Sequence, residues 1–230
     1  MMPDTETPLT SIRARIQAAC AAAGRPPEAV TLLAVSKTRG PDEIAALADQ
    51  GQRHFGENYL QEALDKMPAL AGRDLIWHFI GPLQSNKTRD VAAHFGWVHS
   101  VDRAKVARRL NDQRPDALPP LNVCLQVNVD DEDSKSGVPL AAVPALAEQF
   151  QEWPRLRLRG LMAIPRADAE DGNRAAFRRL AMTLSQLRNT MPALDTLSMG
   201  MSADYPVAIE EGATLVRIGT ALFGPRPPKA

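Results

Sequence analysis

A lysine set directly behind an apolar run is the first residue of this chain whose surroundings could change its chemistry. Lys37 follows Thr31-Leu-Leu-Ala-Val-Ser36. An amine held against apolar surface loses hydration, its pKa falls, and it becomes nucleophilic enough to form a Schiff base. The same position also suits a lysine that lays its stem along the wall and keeps its ammonium in water. Two later segments offer donors to an anion. Ser198-Met-Gly-Met-Ser202, followed by Ala203-Asp204 and a helix-like run, combines a small hydroxyl, Gly200 and a helix start. Leu215-Val-Arg-Ile-Gly-Thr220 sets Gly219, which permits close backbone approach, beside the hydroxyl of Thr220. Each segment alone is weak, since Gly-Thr pairs are common turns. With the lysine they fit one kind of ligand, a phosphorylated aldehyde held as a lysine aldimine. Pyridoxal 5′-phosphate is the common cofactor of that description.

The elements that must position these residues alternate regularly. Strand-like segments are expected at Thr31–Ser36 and near Arg53–Phe55, Leu75–Ile80, Trp97–Ser100, Leu121–Val129, Leu156–Ile164, Thr196–Ser198 and Thr214–Ile218. Helix-like segments lie between them, from Pro41 to Gly51 and near Asn58–Leu70, Ser85–Phe95, Arg103–Asn111, Ala141–Phe150, Asn173–Thr190 and Ala203–Glu211. An additional helix precedes the first strand, with Thr10-Ser11 as its expected cap and Ala23-Gly24 as its end. Eight strands alternating with helices predict an α/β fold, a single-domain (β/α)8 TIM barrel with an extra N-terminal helix. A doubly wound sheet would carry a glycine-rich fingerprint after its first strand, where this chain reads Ser36-Lys-Thr-Arg-Gly40. No linker divides residues 1–230; the core is expected at about 10–224, with 225–230 as a loose tail. In such barrels functional side chains follow the strands, and the loops after strands seven and eight commonly bind phosphate. Lys37, Gly200, Gly219 and Thr220 all stand there.

Composition narrows the class further. The 230 residues carry 27 Lys+Arg against 27 Asp+Glu, with 44% hydrophobic and 23% charged residues. A neutral balance argues against nucleic-acid binding, and no apolar run approaches the length needed to span a membrane. With no apolar signal segment at its start and only Cys20 and Cys124, read as free buried thiols, the chain is expected in the cytoplasm. Asn58, after the second strand, could orient a ligand or cap the next helix. Gly81-Pro-Leu-Gln-Ser-Asn-Lys-Thr88 nearly spells a P-loop, but Asn86 replaces the second glycine and Pro82 removes a donor. His54, His78, His94 and His99 show no metal-ligand spacing and are read as barrel-end or surface groups.

Several segments together resemble one family. Ala34-Val-Ser-Lys37, Phe55-Gly-Glu-Asn-Tyr59, Trp77-His-Phe-Ile-Gly81, Gln84-Ser-Asn-Lys87, Ser134-Lys-Ser-Gly137, Arg159-Gly-Leu-Met162, Ser198-Met-Gly-Met-Ser202 and Arg217-Ile-Gly-Thr220 are similar to the pyridoxal phosphate homeostasis protein family (YggS/PROSC type). The resemblance runs from about residue 10 to Gly224. It implies a barrel like the N-terminal domain of alanine racemase, with pyridoxal 5′-phosphate held covalently as an aldimine on Lys37. By the same resemblance Ser198, Gly200, Gly219 and Thr220 form the phosphate cradle, Arg217 faces the pyridine nitrogen, and Asn58 lines the pocket. The loop Ser134-Lys135-Ser136 matches a family loop with a second lysine, whose role stays open. In alanine racemase a tyrosine from a second domain supplies the second base. This chain ends six residues after Gly224, so no such domain is expected. Its two tyrosines, Tyr59 and Tyr205, are not obvious substitutes. The resemblance therefore implies intracellular vitamin B6 homeostasis without evident turnover, with a low-activity amino-acid racemase as the alternative. The expected partners are the cofactor and PLP-accepting apoenzymes, with the protein itself a monomer.

Overall fold

Short runs of apolar residues, buried on both faces, become parallel strands once helices cover their outer side. In the computed structural model, which describes residues 7–131, 136–166 and 169–225, these strands are β1 (Thr31–Val35), β2 (His54–Glu57), β3 (Ile76–Phe79), β4 (Trp97–Val101), β5 (Leu121–Asn128), β6 (Val138–Pro139), β7 (Leu156–Met162), β8 (Thr196–Ser198) and β9 (Leu215–Ile218). Eight of them close a parallel barrel in the order β1-β2-β3-β4-β5-β7-β8-β9, and β9 returns to β1. The two-residue β6 pairs only with β5, outside that ring. The expected (β/α)8 TIM barrel is therefore the observed fold.

The helices are α1 (Pro8–Ala22), α2 (Pro41–Asp49), α3 (Leu60–Lys66), α4 (Thr88–His94), α5 (Ala104–Gln113), α6 (Val143–Glu148), α7 (Arg174–Arg188), α8 (Tyr205–Glu210) and α9 (Thr220–Phe223). They shield the strands with one contiguous apolar cluster that includes Ile44, Val91, Leu110, Phe177 and Ile209. The extra N-terminal helix is α1, but it starts earlier than the Thr10-Ser11 cap expected from the sequence. Thr7 caps it instead: its hydroxyl accepts from Thr10 N at 3.2 Å, and Thr10 Oγ1 accepts from Thr7 N at 2.8 Å. Pro8 occupies the first turn, where its missing N–H costs nothing. Cys20 and Cys124 are both free and buried. Among the described residues no helix is long and apolar enough to cross a membrane.

Candidate functional site

The strand ends gather the residues singled out by sequence. Lys37 lies two positions beyond β1, and β1 pairs directly with β9, Leu33 opposite Arg217 and Ala34 opposite Ile218. That pairing brings Lys37, Gly219 and Thr220 into one cleft with Val35 and Arg39. Arg39, which the sequence reading passed over, thus adds a guanidinium to the site.

A buried clamp holds the Lys37 loop. Lys66, at the end of α3 and only 5% exposed, donates to the carbonyls of Ser36 at 3.0 Å and Arg39 at 3.1 Å, on either side of Lys37. The same ammonium meets Glu57 Oε1 at 2.9 Å and Glu62 Oε1 at 2.7 Å. Glu62 Oε1 also accepts from Thr38 N at 2.6 Å, and Ser36 Oγ donates to Glu57 Oε1 at 2.5 Å. Thr38 is thereby held at φ 65°, a left-handed conformation that a β-branched residue rarely adopts. Burial pushes the Glu57 carboxyl up, against the lowering pull of Lys66 and Ser36. None of these clamp residues was singled out by sequence, since a lysine four positions after a glutamate on a helix reads as a surface pair.

Asn58 leaves β2 beside Glu57. Its alternative role as a helix cap is not what the structure shows: Tyr59 is the N-cap of α3, and no side chain caps that end. The Asn58 Oδ1 atom is buried without a hydrogen-bond partner among the described residues. Such an atom is costly to leave unpaired.

Across the mouth, Gly200 has φ +91°, and a Cβ there would lie 2.6 Å from Ala208 Cβ and 3.0 Å from Tyr205 Cα. Only glycine fits this turn. Its carbonyl accepts from Arg217 N at 3.0 Å, tying the loop after β8 to β9. Ser202 and Thr220 are exposed at this end, so both hydroxyls stand free of the core.

Beneath them lies Arg217, 4% exposed. Its Nη1 donates to Ser198 O at 2.6 Å and Ser198 Oγ at 2.9 Å, and its Nη2 to Ala163 O at 2.8 Å. Nε takes no part in these anchoring bonds. Burial lowers the guanidinium to about 10, opposed by Asp204, so it stays a cation at neutral pH. Ser198, expected in the phosphate cradle, lies directly against this guanidinium. The side chain is fully buried, and its Oγ is engaged by Arg217 and, at 2.8 Å, by His99 Nδ1. It supports the arginine from inside the barrel.

Two of the four histidines differ from the expected barrel-end or surface placement, and two agree with it. His78 and His99 are fully buried inside the barrel, because their strand positions point to the lumen. His54 is half-buried at the opposite barrel end, and His94 alone lies on a helix. Ser134 and Lys135 of the second-lysine loop lie outside the described residues, as do residues 226–230 of the expected tail.

This arrangement suits the cofactor implied by the sequence. It joins an amine at the cleft wall, an exposed hydroxyl and glycine turns for an anion, an unsatisfied amide oxygen and a buried cation below. Among the described residues no cluster of metal-ligating side chains competes with that reading.

Comparison with known proteins agrees in extent and in kind. The family model described as the alanine racemase N-terminal domain matches residues 8–227. The pyridoxal phosphate homeostasis protein of Pseudomonas aeruginosa is 59% identical over 219 residues, covering 95% of this chain and 94% of that protein. Its Escherichia coli K12 counterpart is 53% identical over 229 residues, 98% of each chain. The structure of PipY from Synechococcus elongatus with PLP bound is 38% identical and superposes with a TM-score of 0.82, covering 94% of this chain and 98% of PipY. Alanine racemase of Corynebacterium glutamicum shares the fold at a TM-score of 0.66 and 18% identity, over 95% of this chain and 62% of the racemase.

Proposed function

This chain belongs to the alanine racemase N-terminal domain family and, within it, to the pyridoxal phosphate homeostasis proteins; on that premise we propose that it holds pyridoxal 5′-phosphate covalently on Lys37 and maintains the supply of that cofactor. The observation that carries the reading is the cleft in which Lys37 meets Gly219 and Thr220 across neighbouring strands, above a buried arginine. Lys37 Nζ is the amine that links to the cofactor's aldehyde as the aldimine. The Lys66 clamp fixes the loop from which that amine projects. Thr220, with the main-chain groups around Gly200 and Gly219, binds the phosphate, while Asn58 pairs with the ring's polar substituents.

Arg217 faces the pyridine nitrogen. A guanidinium only donates hydrogen bonds and stays charged, so the nitrogen opposite it accepts and remains largely unprotonated. The cofactor's chemistry is that of an electron sink, and an unprotonated ring performs it poorly. The site thus holds the cofactor well and activates it weakly, which suits a carrier better than a racemase. The naming of relatives at 53–59% identity as homeostasis proteins supports the same choice. We place the protein in the cytoplasm, where buried free thiols persist, as a monomer that passes the cofactor to apoenzymes.

The direct test is spectroscopic. Protein mixed with pyridoxal 5′-phosphate should develop the visible band of an imine and lose it on borohydride treatment, whereas Lys37→Ala should show no such band. An unchanged spectrum in the unaltered protein would overturn the reading.

A further inference from the structure

Three imidazoles run in single file through the lumen of the barrel. His54 Nδ1 lies 2.9 Å from His78 Nε2, His78 Nδ1 lies 2.9 Å from His99 Nε2, and His99 Nδ1 lies 2.8 Å from Ser198 Oγ. The Arg217 bond to the same hydroxyl, at 2.9 Å, completes the file. β4 and β8 are not neighbours in the ring, so the His99–Ser198 contact crosses the interior. At the lower end His54 lines a cavity between the strand starts, together with Trp97, Arg159 and Asp195. The file therefore joins the two ends of the barrel.

Counting hydrogens shows what it can do. Burial, with Arg217 and His54 adding to it, lowers His99 to about 3, and burial drives His78 well below its ordinary value and lowers His54. The charged groups facing the file are Arg217 above, Arg159 paired with Asp195 below, and Arg13 and Arg53 in the cleft on the other flank of His54. Each ring is neutral and carries one N–H, and each gap needs one hydrogen. Only two arrangements fill every gap. In one, Ser198 donates to His99, which donates through Nε2 to His78, which donates through Nε2 to His54. In the other, every ring donates upward through Nδ1, and Ser198 accepts from both His99 and Arg217 while its own hydroxyl hydrogen stays on Oγ and turns away from the file. Passing from the second arrangement to the first takes up one proton from water at Nε2 of His54, shifts one across each link, and gives up the former hydroxyl hydrogen of Ser198 to water above; the opposite passage returns one proton to water at Nε2 of His54 and takes one up at Ser198 Oγ.

We propose that His54, His78 and His99 are positioning residues forming a tautomer relay, which couples the cavity at the strand starts to the Ser198–Arg217 pair at the cofactor site. All links reverse together because a single reversed link leaves one gap with two hydrogens or none. The bearing of the relay on the cofactor rests on the function proposed above, but the relay itself does not.

The test is 15N NMR of the imidazole nitrogens in ligand-free protein, so that it fails or succeeds separately from cofactor binding. His78 and His99 should be neutral across the neutral range and share one tautomer, both Nδ1–H or both Nε2–H. Opposite tautomers, or an imidazolium at His99, would overturn the relay. In His54→Phe the lower acceptor is gone, and an orphaned N–H costs more than an orphaned lone pair. Both remaining rings should then be Nδ1–H, and an Nε2–H tautomer at His99 would overturn the coupling. His54→Gln, whose amide can donate or accept, should fold and keep the two rings alike; rings that differ there count equally against the proposal.

Discussion

The ammonium of Lys66 lies 2.9 Å from Oε1 of Glu57, both side chains buried, directly against the loop that carries Lys37. Its bonds to the carbonyls of Ser36 and Arg39 mean that one buried cation fixes the backbone on both sides of Lys37. A positioned lysine loses less freedom on forming its bond than a mobile one, which favours attachment.

Replacing Lys66 by methionine strands the Glu57 carboxylate. Breaking a buried pair in this way costs about 3–5 kcal/mol. The Glu57 carboxyl already sits above its ordinary range, mainly through burial, and Lys66 is a lowering influence. Its loss raises that pKa further. A raised native pKa means the folded state binds the proton more tightly, so stability falls as pH rises from the unfolded pKa through the folded one. The stability gap between Lys66→Met and the unaltered protein should thus be widest at neutral pH and narrow as pH falls through the carboxylate range. Denaturant unfolding at several pH values measures it, and a gap independent of pH would contradict the pairing.

Gly200→Ala forces a Cβ to within 2.6 Å of Ala208 Cβ at a φ of +91°. Overpacking with backbone strain should destabilise the protein by about 1–3 kcal/mol. Thermal unfolding reads the loss, and an unchanged midpoint would show that the loop relaxes freely.

In the proposed placement Thr220→Ala removes a donor to the doubly charged phosphate. The loss should weaken pyridoxal 5′-phosphate binding roughly ten- to a hundred-fold, with little effect on unphosphorylated pyridoxal. Titration with both ligands decides the matter. Equal losses would place the ring, and not the phosphate, at Thr220.

Amino-acid turnover should be at most a trace. In the proposed placement Arg217 keeps the ring nitrogen unprotonated, and racemisation without an acid–base partner to Lys37 forfeits on the order of 10²–10⁴ in rate. Tyr205 cannot supply that partner from its place in the core, at 2% exposure. Following the chirality of single enantiomers of alanine and serine over hours tests this. Racemisation at about 1 s⁻¹ or faster would identify a catalyst.

The alternation of apolar runs and helix signals made the barrel legible, and the barrel rule then pointed to Lys37, Gly200, Gly219 and Thr220 as strand-end residues. Two things stayed out of reach. The direction of a strand side chain in a closed barrel depends on which partners surround it, so His78 and His99 read as end groups although they fill the lumen. Lys66 and Glu62 sit four apart on a helix, a spacing that suits an exposed ion pair equally well. Only the packing of α3 against the loop after β1 turns that pair into a clamp.

The measurement that tests the central claim most directly is peptide mapping of the reduced adduct. Protein loaded with pyridoxal 5′-phosphate, treated with borohydride and digested, should carry the phosphopyridoxyl group chiefly on the peptide containing Lys37. A group found mainly on Lys66, Lys87 or Lys135 would contradict the assignment of Lys37 as the residue that holds the cofactor.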